Sequence, residues 1–224
     1  MKALALFVCA AVGILQAQSQ RPPGLPPAVL SSQYFPPGVF DTSPHSSSDT
    51  WYAYTLNALE EPPLFPLRSN GSVQVYRFLW LPSFQRPISV RLTINSAGSG
   101  SIVARSVDLH TGLLQKVPSD TAKLILDTTR DVDKAQVQDV LGQLQRFAFW
   151  EMPTEEAQAA PQVSETTPHG TIVRLPELDG SRWILEGIRG GEYHVVDRWS
   201  PKENSYSQIC KYLLGLGRVE AALY

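Results

Sequence analysis

Residues 73–108 are dense in Val, Ile, Tyr, Phe and Trp, the residues that favour strands, and within them apolar and polar positions alternate in one run with the strand period of two. In that run, Ile88, Val90, Leu92 and Ile94 share one face, and Ser89, Arg91, Thr93 and Asn95 share the other. That is the pattern of an antiparallel sheet buried on one side. Breaks at Pro82, Pro87 and Gly98 to Gly100 divide the region into expected strands near 73–81, 88–95 and 101–108. Weaker strand patterns lie near 113–117, 123–127 and 171–175. The period lengthens to that of a helix in "DVDKAQVQDVLGQLQRFAFWEMP", where Val137, Val140, Leu141, Leu144 and Phe147 recur on one face. Asp131 and Asp133 stand at its positive end and Arg146 near its negative end. The polar stretch 153–170, with Pro161 and Pro168, reads as a surface loop. An earlier short helix is expected in "DTWYAYTLNALEEPP": Asp49 can cap it, Tyr52, Leu56 and Leu59 fall on one face, and Pro62-Pro63 stops it.

The stretch "DGSRWILEGIRGGEYHVVDRWSP" predicts a hairpin. Gly190-Gly191 permits a tight primed turn between two strand-like arms. Pairing outward from that turn sets Arg189 against Glu192, Gly187 against His194, Leu185 against Val196 and Trp183 against Arg198 on one face. Ile188 with Tyr193, Glu186 with Val195, Ile184 with Asp197 and Arg182 with Trp199 fall on the other. This register suggests cation–π stacking of Arg198 on Trp183 and leaves space beside the His194 imidazole over Gly187. Ser200-Pro201-Lys202-Glu203 has the form of a capping box, and Ile209, Cys210, Leu213 and Leu214 make the apolar face of a closing helix.

The ends and the composition narrow the setting. Lys2 followed by the apolar run Ala3 to Leu15 reads as a signal peptide, too short to span a bilayer, with cleavage near Ala17. Bulky Phe7-Val8 before Cys9 argue against lipidation there. Residues 18–48, with "RPPGLPP", "FPPG" and "SPHSSSD", read as a Pro- and Ser-rich tail or linker, on which Tyr34, Phe35 and Phe40 offer docking points. Residues 49–224 then form one domain. Without Lys2, 18 basic residues stand against 21 acidic ones, and no basic stripe marks a nucleic-acid surface. Removal of the leader leaves Cys210 alone, so an internal disulfide is excluded and the domain rests on its core, which 43% apolar residues can supply.

Taken together, "EEPPL", "VYRFLWLPSFQRPISVRL", "FAFWEMP", the hairpin stretch and "CKYLLGL" resemble a group of exported bacterial proteins of unknown function. The resemblance covers roughly residues 50–216. It implies export and a single domain with this order of elements, and it brings no activity, cofactor or site.

Known catalytic signatures are missing from the chain: no H-E-x-x-H, C-x-x-C, G-x-S-x-G or phosphate loop occurs. His45, His110, His169 and His194 are far apart, so no metal site, cofactor or catalytic residue is expected. Cys210 reads as a buried, inert thiol. Arg77, Arg91 and Glu186 are charges within strand-like runs, to be paired as a structural salt bridge or open as a polar pocket. The expected fold is α+β: an antiparallel sheet of about five to seven strands with two longer helices packed on it. The expected function is an exported, non-enzymatic binding domain for a protein or small ligand of the envelope. Its candidate binding residues are Arg77, Arg91, Trp183, Glu186, His194 and Arg198, with Trp80 and Trp199 adding aromatic surface. The alternative is a hydrolase without a familiar motif, using Glu186 or His194.

Overall fold

The computed structural model describes residues 27–40, 48–109, 122–156, 165–167, 170–172 and 179–223. The expected signal peptide, the strand expected at 113–117, and His45, His110 and His169 lie outside them. The architecture is α+β, built on a six-stranded antiparallel sheet in the order β4-β3-β2-β1-β7-β8. Its strands are β1 (Gln74–Pro82), β2 (Ile88–Ile94), β3 (Gly100–Val107), β4 (Leu124–Val132), β7 (Ser181–Arg189) and β8 (Glu192–Trp199). A separate small ladder pairs β5 (Glu165–Thr167) with β6 (Gly170–Ile172).

One face of the sheet carries the helices expected from the sequence. Val137, Val140 and Leu144 of α3 (Lys134–Arg146) and Ile209, Cys210, Leu213 and Leu214 of α4 (Ser205–Leu216) pack on Tyr76, Phe78, Trp80, Val90 and Leu92. Asp133 caps α3 in a reciprocal box with Gln136. Asp131, expected to support that helix end, lies instead in β4, which runs further than its short apolar segment indicates.

The other face overturns the expectation of a sheet buried on one side. Residues 27–40, within the stretch read as tail, supply α1 (Pro27–Tyr34) and place Leu30, Tyr34, Phe35 and Phe40 in a second core. With Tyr52, Leu56 and Leu59 from α2 (Ser48–Ala58) and its end, they cover Leu79, Leu81, Ile184 and Val195. Consequently β1 is buried at all but its first position and, Arg77 apart, its buried residues form an apolar run instead of an alternation. The cover reaches β4 at Leu124, while most of that strand remains exposed or half-buried.

Arg182↔Trp199, Trp183↔Arg198, Gly187↔His194 and Arg189↔Glu192 all pair as the turn predicts. Gly190 and Gly191 take φ of 60° and 87°, values that favour glycine. The helix start after the hairpin is corrected. The cap of α4 is Asn204, boxed with Ser207, and not Ser200. Ser200 is engaged across the hairpin: its Oγ accepts the Ser181 N–H at 2.9 Å, and its own N–H donates to Ser181 O at 2.8 Å. A hydroxyl held there cannot reach the helix.

Candidate functional site

Of the six residues singled out by sequence, Arg77, Arg91 and Glu186 come together on the α1–α2 face of the sheet. Arg77 lies directly between Arg91 of β2 and Glu186 of β7 in the ladder. Two like charges placed opposite each other destabilise a sheet. Glu61, from the chain just after α2, resolves the conflict: its Oε2 accepts Arg91 Nε at 2.8 Å and lies 3.5 Å from Arg77 Nη1. Arg77 Nη2 donates to Glu186 Oε2, and Nη1 donates to the Pro62 carbonyl at 2.7 Å. The Tyr193 hydroxyl donates to Glu186 Oε1 at 3.4 Å, and Tyr34 of α1 donates to the Glu61 carbonyl at 2.7 Å. Arg77 and Glu186 are each only 1% exposed. Burial works against the Arg77 charge, yet Glu186 and Glu61 together raise its pKa. Burial also pushes the Glu186 carboxyl upward, against the pull of Arg77. The cluster therefore behaves as a charge-balanced polar core that sets the α1–α2 layer on the sheet.

Trp183 and Arg198 are also interior residues, at 2% and 6% exposure. The expected stack between them does not form. Trp183 donates its indole N–H to Ser181 Oγ at 2.9 Å. Arg198 donates instead from Nη1 to Thr154 O and from Nη2 to Pro153 O at 3.0 and 2.9 Å, while its guanidinium lies 5.9 Å from the Tyr206 ring. The stack that does form is Arg182 over Trp199, at 5.4 Å. Trp80 is buried as well.

His194 lies on the opposite face from Glu186, as the register requires. The space left by Gly187 is not free. A Cβ there would come within 2.7 Å of Phe149 Cε1, because Phe149 fills it. His194 packs edge-on to Phe149, with ring centres 5.0 Å apart, and beside Trp150 at 6.2 Å. Burial lowers its pKa, opposed by a hydrogen bond with the Met152 main chain.

Sequence reasoning missed the surroundings of this histidine. Two short 3-10 turns, Phe65–Ser69 and Phe149–Glu151, flank the closed end of the β7–β8 hairpin, one on each face. On one side the Arg68 guanidinium lies 3.7 Å from the Phe65 ring centre, and Phe65 meets Tyr193 at 5.3 Å. On the other, Arg189 lies 4.8 Å from the Trp150 ring centre, next to His194. Arg68 and Arg189 are exposed, and neither forms an ion pair among the described residues. "FAFWEMP" held a trace of this: Trp150 does not fit the helical stripe of α3 and so had to pack elsewhere.

One further buried acid stands near the β8 edge. Asp197 accepts the Tyr52 hydroxyl at 2.7 Å and Arg182 Nη1 at 3.5 Å, while its Oδ1 has no partner among the described residues. Burial pushes its pKa up to about 6. A cavity of about 330 Å³ opens elsewhere, between Trp80, Phe84, Arg86, Ile88 and Glu220, and none of the six candidate residues lines it. No cluster of three His, Cys, Asp or Glu among the described residues could hold a metal ion, and no described helix is long and apolar enough to cross a membrane. The chain matches no family model, no curated protein and no solved structure.

Proposed function

We propose that the chain is an exported, non-enzymatic binding domain of the cell envelope, engaging a protein or small ligand there through the closed end of the β7–β8 hairpin. The observation that carries this reading is the pair of exposed, ring-stacked arginines, Arg68 on Phe65 and Arg189 on Trp150. Arg, Trp and Tyr dominate binding hot spots, and a side chain already held on a ring loses less freedom when a partner arrives. The separation of Glu186 and His194 onto opposite faces favours binding over hydrolysis, since an acid and a base must converge to act together. Lys2 and the apolar run behind it, with the resemblance to exported bacterial proteins of unknown function, support export and cleavage near Ala17.

The test compares the parent with an Arg68→Ala/Arg189→Ala variant, each immobilised and exposed to envelope extract. A partner held by the parent should be lost by the variant while thermal melting stays the same. Equal retention by both would remove the hairpin end from the proposal. Turnover of any ester, amide or glycoside substrate that disappears in Glu186→Gln or His194→Ala would establish the hydrolase instead. Mass spectrometry of the exported protein should find an N-terminus near Gln18.

A further inference from the structure

The segment that follows α3 crosses the hairpin and then runs beside β8, and its anchors differ in kind. Ala148 opens it with φ of 53°, a left-handed conformation that is strained for alanine. The Glu151 and Met152 N–H groups both donate to Ala148 O, at 3.0 and 3.1 Å, and close the turn. Phe149 is fully buried over Gly187. Further on, Arg198 holds the Pro153 and Thr154 carbonyls, and the Asp197 N–H donates to Thr154 O at 2.6 Å. A core ring, an always-charged guanidinium and a backbone amide thus fix the two ends at any ordinary pH. Between them, Trp150 lies beside His194, and the imidazole bonds the Met152 main chain. The Met152 N–H is already engaged with Ala148, so the Met152 carbonyl is the acceptor and the imidazole the donor.

The imidazole makes that bond as a neutral ring, with its N–H on the carbonyl and a lone pair on the other nitrogen. That nitrogen, Nε2, is buried and has no partner among the described residues. A second proton would place a donor and a charge where nothing accepts them. Five charged or titratable groups surround the ring: Arg189 from β7, Glu192 and Arg198 from β8, Glu151 from the turn and the Tyr76 hydroxyl from β1. Arg198 opposes a further cation and Glu151 favours it, but burial outweighs both. Phe149 fills the space over Gly187, so a charged ring reaches water only by turning outward. Turning outward breaks the Met152 bond and removes the ring beside Trp150.

We propose that His194 is a proton-operated latch on the segment Trp150 to Met152: the neutral ring holds the segment on the hairpin, and protonation lets it go and opens the turn at Ala148. Strain at Ala148 favours the opening once the latch is undone. Burial lowers the His194 pKa from the ordinary 6.5, so the folded protein takes up this proton less readily than the unfolded chain. The latch is therefore closed at neutral pH and opens as the pH falls below 6.5. Release also carries Trp150 away from Arg189, so the same proton sets when that half of the hairpin end is presented. The latch stands whether or not that surface binds a partner.

The test is amide exchange resolved by NMR in the full chain from about pH 7.5 to about 5, with the His194 ring signals followed in the same samples. Protection of the Glu151 and Met152 amides, corrected for the intrinsic pH dependence of exchange, should fall by about tenfold or more with the midpoint of the ring. Amides of β2, in the middle of the sheet, should keep their protection. His194→Gln should abolish the fall, because glutamine can donate to the Met152 carbonyl at every pH. Asp197→Asn removes the other buried group that titrates at about 6 and should leave the fall in place. A His194 ring that stays neutral throughout, or that takes up its proton while both amides remain protected, overturns the proposal without any variant. So does a fall that persists in His194→Gln or disappears in Asp197→Asn. Capture of a partner at neutral pH tests the hairpin-end reading separately, so either can fail alone.

Discussion

Removing the Arg77 side chain tests the polar core most directly. In Arg77→Met, Glu186 keeps only the 3.4 Å contact from Tyr193, at 1% exposure. Glu61 retains Arg91 at 2.8 Å, so the loss falls on Glu186 and on the Pro62 carbonyl. Stranding one buried charge costs about 3–5 kcal/mol, and the lost carbonyl hydrogen bond adds about 1 kcal/mol. Glu186 can relieve part of this by taking up a proton, which its raised pKa makes easier, so the expected cost lies toward the lower end of that range. Replacing both partners is different. Arg77→Met/Glu186→Leu strands neither charge and should regain most of the loss, since apolar pairs of similar volume often match or exceed a buried ion pair. Urea unfolding at pH 7, followed by tryptophan fluorescence, gives both values from the midpoints if the slopes agree. The reasoning fails if Arg77→Met stays within about 1 kcal/mol of the parent, or if the double variant is no better than the single one. Either result would mean that Arg77 is solvated, as in an open polar pocket, and is not a core cation.

Asp197 gives a pH signature. Its folded pKa of about 6 lies above the ordinary 3.8, so the folded state takes up the proton first. Stability from this group should be fully present below the ordinary value and lost as pH rises through about 6, a change of at most about 3 kcal/mol. Asp197→Asn should remove that slope from urea midpoints between pH 4 and 8, and an unchanged slope would refute the assignment. Trp183→Ala should cost about 3–5 kcal/mol in the same assay, because the indole is 2% exposed against Phe78; a melt like the parent's would show that the ring is not part of the core. Cys210 is fully buried and burial raises its pKa, so a thiol reagent should label it slowly in native protein and rapidly in denaturant. Rapid native labelling would place α4 in a different rotation.

Local chemistry carried much of the architecture. The hairpin register was readable because Gly190-Gly191 pins the turn, and a period of two then assigns every pair. The faces of β2, α3 and α4 followed from periodicity, since each buries one stripe against the sheet. The site was far less legible. Glu61 lies in a Pro-rich connection and becomes the counter-ion of Arg77 and Arg91 only because α2 delivers it to the sheet. Residues 27–40 have no apolar period to announce a helix, and they become core because β1 and β7 present a second apolar face. The same packing withdrew Trp183 and Arg198 into the interior and set Trp150 against Arg189 at the hairpin end. The Gly190-Gly191 turn and the faces of β2, α3 and α4 depend on neighbours a few residues away, so the sequence determined them alone, whereas the start of α4 passed to Asn204 because Ser200 is held across the hairpin. Which charges meet, and which aromatic rings stay exposed, depends on segments brought together from distant parts of the chain, and the tertiary structure alone decided those.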